Sequence, residues 1–220
     1  MYYNYGQMRN QIKNNTIEKQ LEYKGEVVLT YRITYPEIIY SNYIEGKNEF
    51  NKYNKEKALK QKEFAEGELF KNAKENYENS IKNGYPTMVF EFVSNTEITY
   101  NNDWLVSLYT DEYTFEGGAH GSTIRKSQNW DLRKAKQIQL SYFFGDDPYY
   151  IIKILTEINK QIAKEIENGT NQYFDNYCEL VIENFKLGNY YGVPGHIEIF
   201  YQQYDIAPYS SGIPTFKIRV

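Results

Sequence analysis

Phe115-Glu116-Gly117-Gly118-Ala119-His120-Gly121-Ser122-Thr123 lies between two runs in which apolar residues recur at every second position. Trp104, Val106 and Leu108 lead into it, and Ile124, Gln128 and Trp130 lead away, with Lys126 on the same side of the pleat. Period-two alternation is the mark of a strand with one buried face. Three glycines crowded into five positions supply backbone conformations that other residues avoid, so Gly117, Gly118 and Gly121 shape a tight turn or bulge. Strands joined by so short a connection must run antiparallel. His120, one of only two histidines in the chain, sits on that turn.

Upstream, Met88, Phe90 and Phe92 alternate towards Ile98 and Tyr100, and Asn101-Asn102-Asp103 is a turn signal that makes this run the hairpin partner of Trp104–Leu108. Further back, Val27, Leu29, Tyr31, Ile33 and Tyr35 mark a strand within Ile17–Tyr40, which Pro36 is expected to end. Between the two, Lys47–Lys82 contains no proline and carries Leu69, Ala73, Tyr77 and Ile81 at every fourth position, a one-sided helical stripe. Gly84 and Pro86 supply the stop, and Gly67 marks a bend. Downstream, Asp147-Pro148 predicts a helix start. Ile151, Ile152, Leu155, Ile158, Ile162 and Ile166 form its apolar face, and Gly169 closes it. A second helix is predicted over 172–186. Ile197, Ile199 and Tyr201, the turn-rich Asp205–Gly212, then Phe216, Ile218 and Val220 read as a closing hairpin. Strands and helices do not alternate regularly. The predicted class is therefore α+β: antiparallel sheet packed with one long N-terminal helix and two helices in the C-terminal half.

A chain of 220 residues can bury a substantial core. Its net charge of −4 argues against nucleic acid, which wants a basic face with many phosphate contacts. No run approaches the ~18 apolar residues of a membrane span, and the polar stretch Met1–Asn15 predicts no signal peptide there. The single cysteine, Cys178, excludes an intrachain disulfide and a cysteine zinc site, and its apolar neighbours predict a buried thiol. Lys, Asn, Ile and Tyr all have AT-rich codons. A low-GC genome therefore accounts for the 24 tyrosines without recruiting them to binding.

Chemistry-bearing patterns are sparse. There is no G-x-S-x-G elbow, and the glycine loop lacks the G-K-[ST] ending of a phosphate loop. His120, His196 and Glu198 are the residues for a two-histidine, one-carboxylate metal set, but only the last two share a predicted strand. No metal, cofactor or catalytic residue is assigned. Glu116 and Asp205, each beside a distinctive loop, are the pair to weigh for acid–base work on glycan. His120 either binds a ligand or ties down its own loop. In Tyr204-Asp205-Ile206-Ala207-Pro208-Tyr209-Ser210-Ser211-Gly212, the rings of Tyr204 and Tyr209 suit an interface. Pro208 and Gly212 shape that turn. The candidate binding residues are thus His120, Glu116, Tyr204, Asp205, Pro208 and Tyr209, and whether the two turns meet at one edge of the sheet is left to the structure.

These marks, with Asn129-Trp130-Asp131-Leu132 and Leu140-Ser141-Tyr142-Phe143-Phe144, resemble the extracytoplasmic domain shared by the anti-sigma factor RsiV and the peptidoglycan deacetylase PdaC (domain of unknown function 3298). Ile33-Thr34-Tyr35-Pro36-Glu37-Ile38 and the long helix resemble its N-terminal companion (domain of unknown function 4163). The resemblance implies a companion domain over 15–100 and an RsiV/PdaC-like domain over 101–220, packed as one compact unit. In RsiV the domain recognises lysozyme outside the cell; in PdaC it accompanies a separate catalytic domain, to whose Asp-His-His metal motifs nothing here corresponds. The resemblance therefore implies a non-catalytic recognition domain at the cell envelope. Its partner would be a lysozyme-like muramidase or cell-wall glycan. The alternative is a glycan hydrolase or deacetylase, and an intracellular structural role is the third reading.

Overall fold

The computed structural model describes residues 9–170 and 172–220; the reading of Met1–Asn15 falls mostly on residues outside that range. Six strands, β1 (Gln11–Tyr23), β2 (Glu26–Tyr40), β3 (Phe90–Asn102), β4 (Leu105–Phe115), β5 (Ser122–Asp131) and β6 (Lys136–Gln137), form one sheet in chain order. A smaller antiparallel sheet holds β7 (Tyr190–Val193), β8 (His196–Phe200) and β9 (Thr215–Ile218). The helices are α1 (Ile44–Phe64), α2 (Phe70–Asn83), α3 (Tyr150–Glu167) and α4 (Tyr177–Glu183). The α+β class holds.

Several local expectations are corrected. The strand marked by Val27–Tyr35 is β2, while the earlier part of Ile17–Tyr40 belongs to a partner strand, β1, from which it is folded at Lys24-Gly25 with φ of 53° and 85°. Two successive positive φ values are the mark of a two-residue hairpin turn whose twist matches that of its strands. Pro36 does not end β2: it pairs with Asn14 of β1 but lies past Ile33↔Ser94, the last β2–β3 pair, where β2 is locally an edge and a missing N–H costs no rung. β2 and β3 run parallel, the exception to antiparallel pairing, because the long helix carries the chain back across the sheet. Trp104 belongs to the β3–β4 turn, not to β4, and its ring lies 3.5 Å beneath the Arg133 guanidinium. This hairpin spans the division expected at residues 100 and 101.

α1 and α2 are one helical run interrupted by a π turn, Ala65–Leu69, which contains Gly67. Leu69 and Ala73 of the stripe are buried, whereas Ile81 is exposed near the helix end. The helices cover one face of the large sheet. Phe50, Ala58 and Leu69 meet Leu29, Ile33, Val106, Leu108 and Trp130 in two adjoining clusters. Inside this layer Asn54 Nδ2 donates to the Phe50 carbonyl, Gln128 Nε2 donates to Asn54 Oδ1, and Trp130 Nε1 donates to Gln128 Oε1. Buried polar groups are thus satisfied by one another.

The small sheet lies on the opposite face. Val106, Leu108 and Trp130 point to the helices, so Ser107, Tyr109 and Asn129 point the other way, towards β7. Contact there combines ring packing, Tyr109 lying 5.0 Å from Tyr191, with a set of hydrogen bonds. Asn129 Nδ2 donates to the Tyr190 carbonyl and its Oδ1 accepts from Gly192 N–H. Thr99 Oγ1 donates to the Gly192 carbonyl and Ser127 Oγ to that of Gly188. The outer face of the small sheet packs on α3 through Ile154, Ile158 and Ile162. Ile154, absent from the predicted stripe, is core, while Ile152 and Ile166 are exposed. Asp147 does accept the Tyr149 N–H, but α3 begins a few residues later than expected. The predicted second helix shrinks to α4, which turns Val181 inward and leaves Cys178 exposed rather than buried. Among the described residues no helix is long and apolar enough to cross a membrane.

Candidate recognition site

The glycine turn and the tyrosine turn meet. His120 and Tyr209 stack with ring centroids 4.0 Å apart and planes inclined by 20°. Tyr209 O–H donates to the Gly121 carbonyl at 3.0 Å. His120 Nδ1 lies 3.1 Å from the same oxygen, a contact that favours the Nδ1–H tautomer. Tyr204 tilts against Tyr209 at 5.8 Å and is 55% exposed. Three rings thus form a ledge, with His120 and Tyr204 open to solvent.

Each side of the ledge is built by constrained backbone. Gly117 and Gly118 take φ of 88° and 92°. Gly121 is required for a different reason: a Cβ there would sit 2.5 Å from the Thr114 carbonyl and from the Tyr113 ring. On the other side, Pro208 (φ −66°) leads into a single helical turn, Tyr209–Ser211, which Gly212 closes at φ 66°. Tyr204 itself has φ 68°, a left-handed conformation unusual for a bulky residue. Residues held so tend to cluster where a surface is functionally over-determined.

The join between the turns rests on two residues that sequence reasoning passed over. The Gln202 side-chain amide accepts from Arg125 N–H at 2.9 Å and donates to the Arg125 carbonyl at 2.7 Å. Gln203 Oε1 accepts from Thr123 N–H at 2.8 Å. β6 pairs only with Trp130 and Asp131, so β5 is an edge over most of its length. The two glutamines occupy its free groups as a neighbouring strand would. Beneath them the Arg125 guanidinium makes a two-pronged pair with Asp111, both bonds 2.7 Å, and lies 3.8 Å over the Tyr109 ring. No local pattern announces such a glutamine; the signal would be a Gln-Gln pair opening a turn near a predicted edge strand.

The remaining candidates go elsewhere. Glu116 is exposed and accepts from Asn72 Nδ2 of α2 at 3.2 Å. Asp205 closes its own turn, its Oδ2 accepting Gln202 N–H at 2.8 Å and its carbonyl accepting from Asn184. Burial pushes the Asp205 carboxyl up, opposed by that hydrogen bond and by Lys186. The two carboxylates weighed as a pair are therefore held by different elements. His196 Nε2 lies 3.1 Å from Glu198 Oε1, joining the two residues expected on one strand, while His120 is engaged with Tyr209.

Residues 21–123 match the family described as Deacetylase PdaC, and residues 142–220 match the protein of unknown function family DUF3298. The chain is 25% identical over 167 residues to the peptidoglycan-N-acetylmuramic acid deacetylase PdaC of Bacillus subtilis (strain 168). That alignment covers 72% of this chain and 33% of the relative, so the chain spans about a third of the relative's length. Two crystal structures share the fold, each covered to 92% by 97% of this chain. One is a DUF3298 family member from Bacteroides fragilis (TM-score 0.68, 17% identity), the other a DUF3298 family protein from Pseudomonas aeruginosa PAO1 (TM-score 0.64, 18% identity). The glycine turn falls in the first family match and the tyrosine turn in the second. The ledge forms where the two segments meet.

Proposed function

We propose that this chain, which joins a PdaC-like segment to a DUF3298 domain, is a non-catalytic recognition module of the cell envelope, and that the ledge of His120, Tyr204 and Tyr209 binds cell-wall glycan or a lysozyme-like protein that attacks it. The stacked, partly exposed rings carry this reading. Aromatic side chains with few rotatable bonds offer a large, flat, amphipathic contact at little entropic cost. Rigid turns on both sides pre-organise that contact, which lowers the cost of binding. The relative's name places that protein's chemistry on peptidoglycan, which makes wall glycan the first ligand to try.

Glu116 and Asp205, the carboxylates weighed for a glycosidase mechanism, are each engaged with a different partner, which supports the non-catalytic reading. Calorimetry with muropeptide fragments and with lysozyme tests the proposal. Saturable binding to either, lost in Tyr204→Ala and Tyr209→Ala variants that remain folded, is expected. Binding to neither overturns it, and release of acetate or reducing sugar by the purified chain overturns its non-catalytic part.

A further inference from the structure

We propose that the crevice between α1 and the β4–β5 pair binds a small amphipathic carboxylate, with its anionic group against Lys57 and Lys126 and its apolar body between Tyr53, Phe64 and Ile124. The crevice encloses about 550 Å³, within the range of small-molecule sites. Its walls are apolar. Phe64 packs edge-on against Phe92 at 5.6 Å, Tyr53 packs edge-on against Trp130 at 5.6 Å, and Ile124 stands 51% exposed across from them.

Its floor carries an imbalance of charge. Two ammonium groups, Lys57 at 3.5 Å and Lys126 at 2.7 Å, share the one carboxylate of Glu112. That carboxylate also accepts from Gln61 Nε2 at 2.9 Å. At the rim Lys60 and Glu56 add one charge of each sign. Lys57 is largely buried; burial disfavours its charge, Glu112 opposes that effect and Lys126 adds to it. A second carboxylate beside Lys57 would restore balance, so the crevice complements an anion attached to an apolar group. The π turn that follows Phe64 supports the assignment. Such one-residue insertions re-aim helical side chains and recur at functional sites. This crevice shares no residue with the aromatic ledge, so either reading stands or falls without the other.

Trp130 adjoins Tyr53, so its emission reports occupancy once Trp104→Phe has removed the other indole. Hydrocinnamate should shift that emission saturably. Hydrocinnamyl alcohol, which lacks the charge, should bind about tenfold or more weakly, the loss expected for one charge-assisted contact. Lys57→Met should weaken hydrocinnamate to a similar degree. Ile124→Asp, at a half-exposed position on the crevice wall, should abolish binding, with circular dichroism confirming that the variant is folded. No saturable response at millimolar hydrocinnamate, equal affinity for the alcohol, or unchanged binding to folded Ile124→Asp would each overturn the proposal.

Discussion

Gln202→Leu removes the side-chain rung on β5 while nearly conserving volume. The amide makes two hydrogen bonds to the Arg125 backbone, at 2.9 and 2.7 Å, both partly buried. Each has a net worth of about 1 kcal/mol, and leaving a half-buried N–H and C=O unpartnered adds about as much again, so the variant should lose about 2–4 kcal/mol. For a chain of this size that lowers the thermal midpoint by about 4–16 °C. Urea unfolding should show a lower midpoint with an unchanged slope, because the surface exposed on unfolding hardly changes. The Arg125 amide should also lose its protection from hydrogen exchange. A bared edge invites pairing with another chain, so light scattering should rise with concentration. A loss below about 0.5 kcal/mol, the ordinary range of surface substitutions, with the Arg125 amide still protected, would refute the role given to Gln202.

Gly121→Ala forces a methyl to within 2.5 Å of the Thr114 carbonyl; overpacking of this kind costs about 1–3 kcal/mol, and denaturation should show that loss together with weaker ligand binding. Tyr204→Gly relieves a left-handed φ of 68° at a half-exposed ring, so calorimetry should find stability unchanged or raised by about 1 kcal/mol while affinity for the ledge's ligand falls. Asp205 has its folded-state pKa raised by burial, so the native state holds that proton more tightly than the unfolded chain. Its contribution is therefore most favourable below the ordinary aspartate pKa and is lost as pH rises towards the raised value. Unfolding followed against pH should show Asp205→Asn gaining on the parent as pH rises through that window, with the gain vanishing in acid.

Elements that announce themselves locally were legible in the sequence. The glycine turn, the strands flanking it, the helix that ends at Gly84 and the closing hairpin all follow from period and punctuation. Where reading failed, the deciding interaction was distant. Pro36 is tolerated because the pairing of β2 with β3 ends at Ile33↔Ser94, before it is reached. Trp104 leaves the strand to lie under Arg133. Ile154, left out of the predicted stripe, is buried and Ile152, placed in it, is exposed, because the small sheet selects which face of α3 turns inward. Of the site, the residues were readable but their meeting was not. His120 and Tyr209 are brought together by Gln202 and Gln203, whose amides behave as backbone only once β5 is known to be an edge.

The hydrogen bonds that join the two sheets bear on all of this. An apolar contact surface lets one layer slide over another by small steps at little cost, since its attraction has no preferred direction. Asn129, bridging Tyr190 and Gly192, allows no such drift, because hydrogen bonds weaken steeply when bent. His120 rides on the large sheet and Tyr209 follows the small one. The spacing of the two rings is thus a gauge of alignment between layers, set by the Gln202 and Gln203 rungs together with the Asn129 bridge. A substitution such as Asn129→Leu, hidden and out of reach of any ligand at that ledge, would be read there as misregistration.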